Sequence, residues 1–198
     1  IDQSDLSLIV WQAPLLETEH LAALKQFVIQ GGCLFILPHE HPTNTTPNSL
    51  FGLQWSDIET TASSQPFVVD RWEQHEGPLA RTVDGEDLPV SSLVFRKRRT
   101  VSRSTDKWFV PASFSDRKPF LLRTKAGKGR LYVCTSLPTS GWSTLGEETV
   151  YVPMLHRMIR EGNERLLPTQ HGVCGEWQPA GRHEDWNPVS NPMDNSHS

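Results

Sequence analysis

Residues 6–38 constrain the fold of this chain more than any other stretch. The run Leu6-Ser-Leu-Ile-Val-Trp11 is short, apolar and rich in β-formers, and residues 17–30 set Leu21, Leu24 and Val28 at helical spacing. Gly31-Gly32 ends that helix before a second apolar run, Cys33-Leu-Phe-Ile-Leu37. The pattern is strand, helix, strand. A crossover of this length joins parallel strands. Parallel strands are buried on both faces, so the expectation is an α/β domain with helices covering its sheet.

A chain of 198 residues buries roughly 70% of the surface its unfolded form exposes, so its core needs no covalent staples. The three cysteines agree with this: an odd number is no disulfide framework, and Cys33 and Cys134 stand in apolar runs where a thiol is a small hydrophobe. A net charge of −4 supplies no bulk positive field, which excludes nucleic-acid and anionic-membrane binders that depend on one. No run reaches the roughly 18 apolar residues of a transmembrane helix, and no signal-peptide pattern opens the chain. The chain enters a core strand within a few residues of Ile1 and turns polar after Gln170. It therefore reads as an excised piece of a longer protein.

Residues 39–49 combine proline with Asn, Ser and Thr, which makes a loop at the carboxyl end of the second strand, the edge at which open α/β sheets bind ligands. Phe51, Leu53, Trp55 and Ile58 alternate weakly, as on an edge strand. Residues 66–72, 93–101 and 107–114 carry β-branched and aromatic residues without helical spacing and are expected strands. Residues 120–124 and 129–136 flank Lys125-Ala-Gly-Lys128 as a hairpin. A second helix should begin near Val150, because Pro153 is tolerated only in a first turn. Val152, Leu155, Met158 and Ile159 are its expected buried face and Gly162 its stop. The α/β domain thus spans residues 1–165 with a β-rich middle, and residues 166–198 form an irregular tail or a linker to a following domain.

Among groups that could carry chemistry, a cysteine at a strand-to-helix elbow is a potential nucleophile. Cys33 instead follows a helix and opens a strand, which points to core packing, and Cys134, within Leu131-Tyr-Val-Cys-Thr135, has the same reading. His39-Glu40-His41 has metal-binding residue types, with Asp70, His75 or Glu76 as the further ligands a zinc site needs; the competing reading is an ordinary polar loop. His171, Cys174, His183, Glu184 and Asp185 lack the paired C-x-x-C spacing of a strong zinc signature. Arg96-Lys-Arg-Arg99 with Arg103 is the one basic cluster. Alternation on a strand divides it between two faces, so a solvated, edge-protecting strand is expected rather than a nucleic-acid stripe. Lys125-Ala-Gly-Lys-Gly129 lacks the spacing of a phosphate loop, and no cofactor-binding motif is legible. Trp142, in Ser140-Gly-Trp-Ser143, either covers the sheet end or stacks on a sugar or partner. With Trp72, Arg96 and Arg98 it makes the expected binding surface, and Trp55 is a further aromatic suited to carbohydrate.

Three segments together resemble a family. Residues 6–11, followed by Leu24-Lys-Gln-Phe-Val-Ile-Gln-Gly-Gly-Cys-Leu-Phe-Ile-Leu37, look like the strand, helix ending in F-V-x-x-G-G, and strand of class I glutamine amidotransferase-like domains. Residues 119–136, then Gly141-Trp-Ser143 and Tyr151-Val-Pro-Met-Leu-His-Arg-Met-Ile159, are similar to the end of that domain in large bacterial membrane-anchored proteins of the aerotolerance-regulator type. Those proteins carry an N-terminal double transmembrane segment and often a von Willebrand A domain. The resemblance covers most of residues 5–162. It implies a flavodoxin-like three-layer α/β sandwich, an extracytoplasmic location tethered to the membrane in the parent, and protein partners in the cell envelope. Catalytic members use a Cys at a strand-to-helix elbow and a later His-Glu pair. Neither falls on a matching position here, since His156 stands in the last helix with no glutamate at the family's spacing. The expectation is a non-catalytic interaction or scaffold domain without a cofactor. A hydrolase or metal-dependent enzyme centred on His39-Glu40-His41 is the alternative, and a carbohydrate-binding module the second alternative.

Overall fold

The computed structural model describes residues 6–12, 18–40, 52–62, 64–103 and 107–166, all within one compact unit, and leaves out the side chains of Leu53, Arg103, Arg165 and Leu166. In chain order the elements are β1 (Leu8–Trp11), α1 (Thr18–Gln30), β2 (Cys33–Ile36), β3 (Leu53–Thr60), β4 (Val69–Trp72), a 3₁₀ turn (Val90–Ser92), β5 (Lys97–Arg103), β6 (Phe109–Phe114), β7 (Pro119–Ala126), β8 (Gly129–Cys134) and α2 (Tyr151–Leu166). The fold is mixed α/β with a core made mostly of sheet. The expected readings of His41 and of residues 167–198, including His171, Cys174, His183, Glu184 and Asp185, lie outside the described residues.

Six strands form one sheet in the order β1-β2-β8-β7-β6-β4, and β3 pairs with β5 in a second, two-stranded sheet. β1, β2 and β8 are parallel, as the strand-helix-strand reading requires, whereas β8-β7, β7-β6 and β6-β4 are antiparallel. Successive side chains of a strand point to opposite faces. In β2, Cys33 and Phe35 accordingly join one core cluster with Met154 and Met158 of α2, while Leu34 and Ile36 join another with Leu21, Leu24, Phe27 and Val28 of α1. All four β2 residues are buried, and each large apolar side chain so enclosed stabilises the fold by roughly 1.5–3 kcal/mol.

Glycines fix the junctions. Gly31, at φ 128°, ends α1 with its amide donating to the Val28 carbonyl (3.0 Å). At the β7–β8 turn, Gly127 has φ 59° and lies against the backbone of Ile29, so a side chain there is both strained and obstructed.

Two expectations for α2 are corrected. Gly162 does not stop the helix, which runs on to Leu166; a Cβ at Gly162 would overlap the Ser7 carbonyl oxygen, so the residue is glycine because helix backbone meets strand backbone there. The buried face is Val150, Met154 and Met158, with Tyr151 and Leu155 packed beside them. Val152 is 71% exposed and Ile159 46%.

The basic cluster differs from expectation in the same way. Arg98 and Arg99 are buried, at 2% and 6% exposure, and not solvated. Consecutive strand residues face opposite ways, and β5 is enclosed on both sides: Arg98 points to the aromatic rings of Phe67 and Phe114, Arg99 to His39.

Candidate functional site

In open α/β sheets the carboxyl ends of the parallel strands are where ligands bind. Here that edge is formed by Leu37, Pro38 and His39 after β2 and by Thr135, Ser136 and Leu137 after β8, all of them buried. β5 lies across it. The Arg99 amide donates to the Thr135 carbonyl at 2.7 Å, and the Ser136 hydroxyl donates to the Lys97 carbonyl at 2.7 Å. The Arg99 side chain then fills the space between: Nε donates to the Ser56 carbonyl (2.7 Å) and Nη1 to the His39 carbonyl (3.2 Å). Nη1 also sits 2.9 Å from His39 Nδ1 and 3.0 Å from Nε2. A donor equidistant from two nitrogens that flank one ring carbon cannot align with both lone pairs, so the guanidinium lies over the imidazole. Burial lowers the Arg99 pKa, with the Asp57 charge working against that shift.

The hydroxyls at this edge are occupied by backbone acceptors. Thr135 Oγ1 donates to the Pro119 carbonyl (2.9 Å) and Ser143 Oγ to the Leu137 carbonyl (2.6 Å). Trp142, 4% exposed, belongs to the core, and its carbonyl accepts the amides of Arg96 (2.7 Å) and Lys97 (3.1 Å). It is therefore enclosed in the core on the α2 side of the sheet. Cys33 is fully buried at the start of β2 and Cys134 at the end of β8. Burial pushes the Cys134 thiol up to about 12, and its Sγ donates to the Ser136 carbonyl (3.2 Å).

Of the metal candidates, His39 is buried against Arg99 while Glu40 is exposed. Asp70 and His75 are exposed, and Glu76 pairs with Arg123 (2.9 Å). A guanidinium over the imidazole opposes a divalent cation at the same ring by like-charge repulsion. Among the described residues, no three His, Cys, Asp or Glu side chains come together as a metal-binding group.

Arg98 forms a second polar cluster. Its Nε donates to Glu59 Oε2 (2.8 Å), its terminal nitrogens grip Asp116 through both carboxylate oxygens, and its Cζ lies 3.9 Å from the Phe67 ring centroid and 4.7 Å from that of Phe114. Lys118 pairs with the other Glu59 oxygen. Partial burial disfavours ionised Glu59, but the hydrogen bonds from Lys118 and Arg98 outweigh it and hold its pKa below the ordinary carboxylate value. The Arg98 hydrogen bond does the same for Asp116. The cluster ties β5 to β3 and to the β6–β7 turn, which is a structural role and leaves Arg98 no surface to offer.

Trp72 and Arg96 are half-buried. The Arg96 side chain reaches the Ser140 carbonyl (3.2 Å), and Trp55 packs against the α1-side core. Trp72 lines an open groove of about 410 Å³ with Arg71, Glu73, Phe109, Pro111 and Arg117. Phe109 is 45% exposed with the Arg123 guanidinium 4.8 Å from its centroid. Arg71 and Arg117 are exposed, and among the described residues neither is ion-paired. From sequence, Arg99 is legible only as a member of the basic cluster and Trp72 only as a surface aromatic; Ser136 and the other groove residues are not singled out. The available signal was the pair Arg98-Arg99 itself, since two adjacent charges on a strand flanked by Phe95 and Val101 cannot both face water if either face is covered.

No family model matches the chain, and no curated protein matches it. Solved structures do. The Salmonella typhimurium Cytoplasmic Protein STM3548 is 14% identical with a TM-score of 0.59, over 79% of this chain and 72% of that one. The mmIFT52 N-terminal domain is 14% identical with a TM-score of 0.51, over 79% and 77%. The GH42 β-galactosidase Gan42B is 17% identical with a TM-score of 0.48; the match covers 68% of this chain and spans only 19% of the galactosidase. At such identities the first two likenesses speak for fold alone: the chain shares a mixed α/β fold with STM3548 and the mmIFT52 domain.

Proposed function

We propose that this chain is a non-catalytic, amidotransferase-like recognition domain with a flavodoxin-like three-layer arrangement, part of a membrane-anchored protein and working outside the cytoplasm through protein partners in the cell envelope. The observation that carries the non-catalytic reading is the Arg99 plug: the sheet edge that holds ligands in open α/β folds is filled by the chain's own guanidinium and closed by β5 backbone bonds. Support for the three-layer arrangement comes from α1 and α2 packing on separate core clusters drawn from alternate residues of β2. Support for the envelope setting is the sequence resemblance.

Recognition is assigned to the groove over β4 and β6. Arg71 and Arg117 beside the Trp72 and Phe109 rings suit an acidic peptide segment with apolar side chains, since guanidinium groups bind carboxylates bidentately and stack with aromatic rings. The test has two arms. Ammonia release from glutamine by the purified chain should stay at the buffer level, and release that disappears in Cys33→Ala or His39→Ala overturns the non-catalytic reading. Stoichiometric zinc lost in His39→Ala favours the metal enzyme instead.

A further inference from the structure

β1 forms one end of the sheet, yet it is built as an interior strand. Leu8–Trp11 is apolar on both faces and carries no charge. Leu8 packs into the α2-side cluster, while Ile9 and Trp11 pack into the α1-side cluster. Natural sheet edges are normally blunted by charges, prolines or bulges. The opposite edge follows that rule, because β4 has a bulge between Val69 and Arg71 and exposes Asp70 and Arg71.

Among the described residues, the backbone of β1 shows which groups remain open. Its bonds to β2 involve Ser7, whose carbonyl accepts from the Cys33 amide (3.0 Å), and Trp11, whose carbonyl accepts from Leu37 (2.9 Å). In a parallel ladder with Leu8 level with Cys33 and Val10 level with Phe35, residues 7, 9 and 11 face β2, so the amides and carbonyls of Leu8 and Val10 face away.

α2 adds an apolar flank on the same side. Glu161 accepts a hydrogen bond from Tyr132 of β8 (2.7 Å), and Arg157 donates to the Pro78 carbonyl (3.0 Å), which sets that flank of the helix toward the middle of the sheet. At 3.6 residues per turn, Val152 and Ile159 project from the opposite flank. That flank overhangs β1, where Gly162 already touches Ser7. Val10, Val152 and Ile159, at 45%, 71% and 46% exposure, are therefore the apolar side chains that β1 and this flank of α2 leave uncovered.

We propose that this edge is the interface with a second copy of the chain: β1 pairs antiparallel with its two-fold mate, Leu8 opposite the mate's Val10 in hydrogen-bonded pairs. The surface is self-complementary in three respects. Both members of each pair use outward backbone groups. An uncharged strand places no like charges opposite one another. A two-fold axis normal to the sheet puts both α2 helices on one face, so Val152 and Ile159 of each copy close over the junction.

The test is sedimentation velocity of the purified chain, with amide hydrogen exchange at Leu8 and Val10. The expected result is a dimer with both amides protected, and dissociation at least about tenfold easier in Ile159→Glu and in Val10→Pro, with the far-ultraviolet circular dichroism of each unchanged. Ile159→Glu alters only an exposed helix position, so it keeps the test valid if Val10→Pro fails to fold. A monomer at roughly 100 µM overturns the proposal. It does so whether the two amides exchange freely, which means an open edge, or are protected, which means a cover from the same chain. A dimer unaffected by Ile159→Glu places the contact elsewhere and overturns it equally.

Discussion

Replacing Arg98 with methionine, and separately replacing its two acids, gives a prediction whose order is as informative as its size. The guanidinium is 2% exposed, whereas its partners Glu59 and Asp116 are 32% and 44% exposed. In Arg98→Met the carboxylates left behind rehydrate, so the loss is that of hydrogen bonds to charged groups, about 1.5–3 kcal/mol. Two ring contacts add about 1–2 kcal/mol. Methionine recovers part of the packing, leaving a net cost of about 2–3 kcal/mol. The Glu59→Gln, Asp116→Asn double variant strands a buried cation instead, for which the expected cost is about 3–5 kcal/mol. Urea unfolding at pH 7, with both variants at an unchanged denaturant slope, measures the two values. Arg98→Met within about 0.5 kcal/mol of the parent, or a double variant milder than Arg98→Met, refutes the reasoning that burial of the cation governs this cluster.

The same pair sets an acid response. Glu59 and Asp116 have folded pKa values below their ordinary 4.5 and 3.8, so their contribution is present above those values and lost as pH falls through the folded ones. Urea midpoints should be level above about pH 5 and decline below it, with a shallower decline in the double variant. Gly162→Ala should destabilise by about 1–2 kcal/mol, because overlap with Ser7 outweighs the roughly 1 kcal/mol that alanine gains in a helix; a stabilised variant would place α2 off β1. Brief iodoacetamide treatment at pH 8 followed by peptide mass spectrometry should leave Cys33 and Cys134 unmodified until urea is added, and native alkylation of either contradicts their burial.

Local pattern carried β1, α1 and β2, because their periodicities and the Gly31-Gly32 stop are short-range properties, and it carried the β7–β8 hairpin for the same reason. On α2 it placed Leu155 and Met158 on the buried side and misassigned Val152 and Ile159. Val150, Tyr151, Val152, Met154, Leu155, Met158 and Ile159 cover a broad apolar arc, and long-range contacts, Gly162 with Ser7 and Glu161 with Tyr132 among them, determine which part of it meets the sheet. Gly162 looked like a stop because glycine near a helix end usually is one; close approach to a strand lets it stay inside the helix instead. The candidate site was the least legible part. His39 and Arg99 are 60 residues apart, and Arg98 reaches Glu59 across 39, so the plug and the ion cluster exist only through the pairing of β5 with β3 and its passage over the sheet edge.

The closure of that edge is tested most directly by native-state amide exchange at Arg99, whose amide donates to the Thr135 carbonyl at 2.7 Å. If β5 is a permanent plug, this amide exchanges only with global unfolding and shows the same denaturant dependence as the core amides of β8. Exchange through a low-energy local opening, with protection far below that of β8, means that the edge opens in the native protein and that the ligand position of the sheet is available after all.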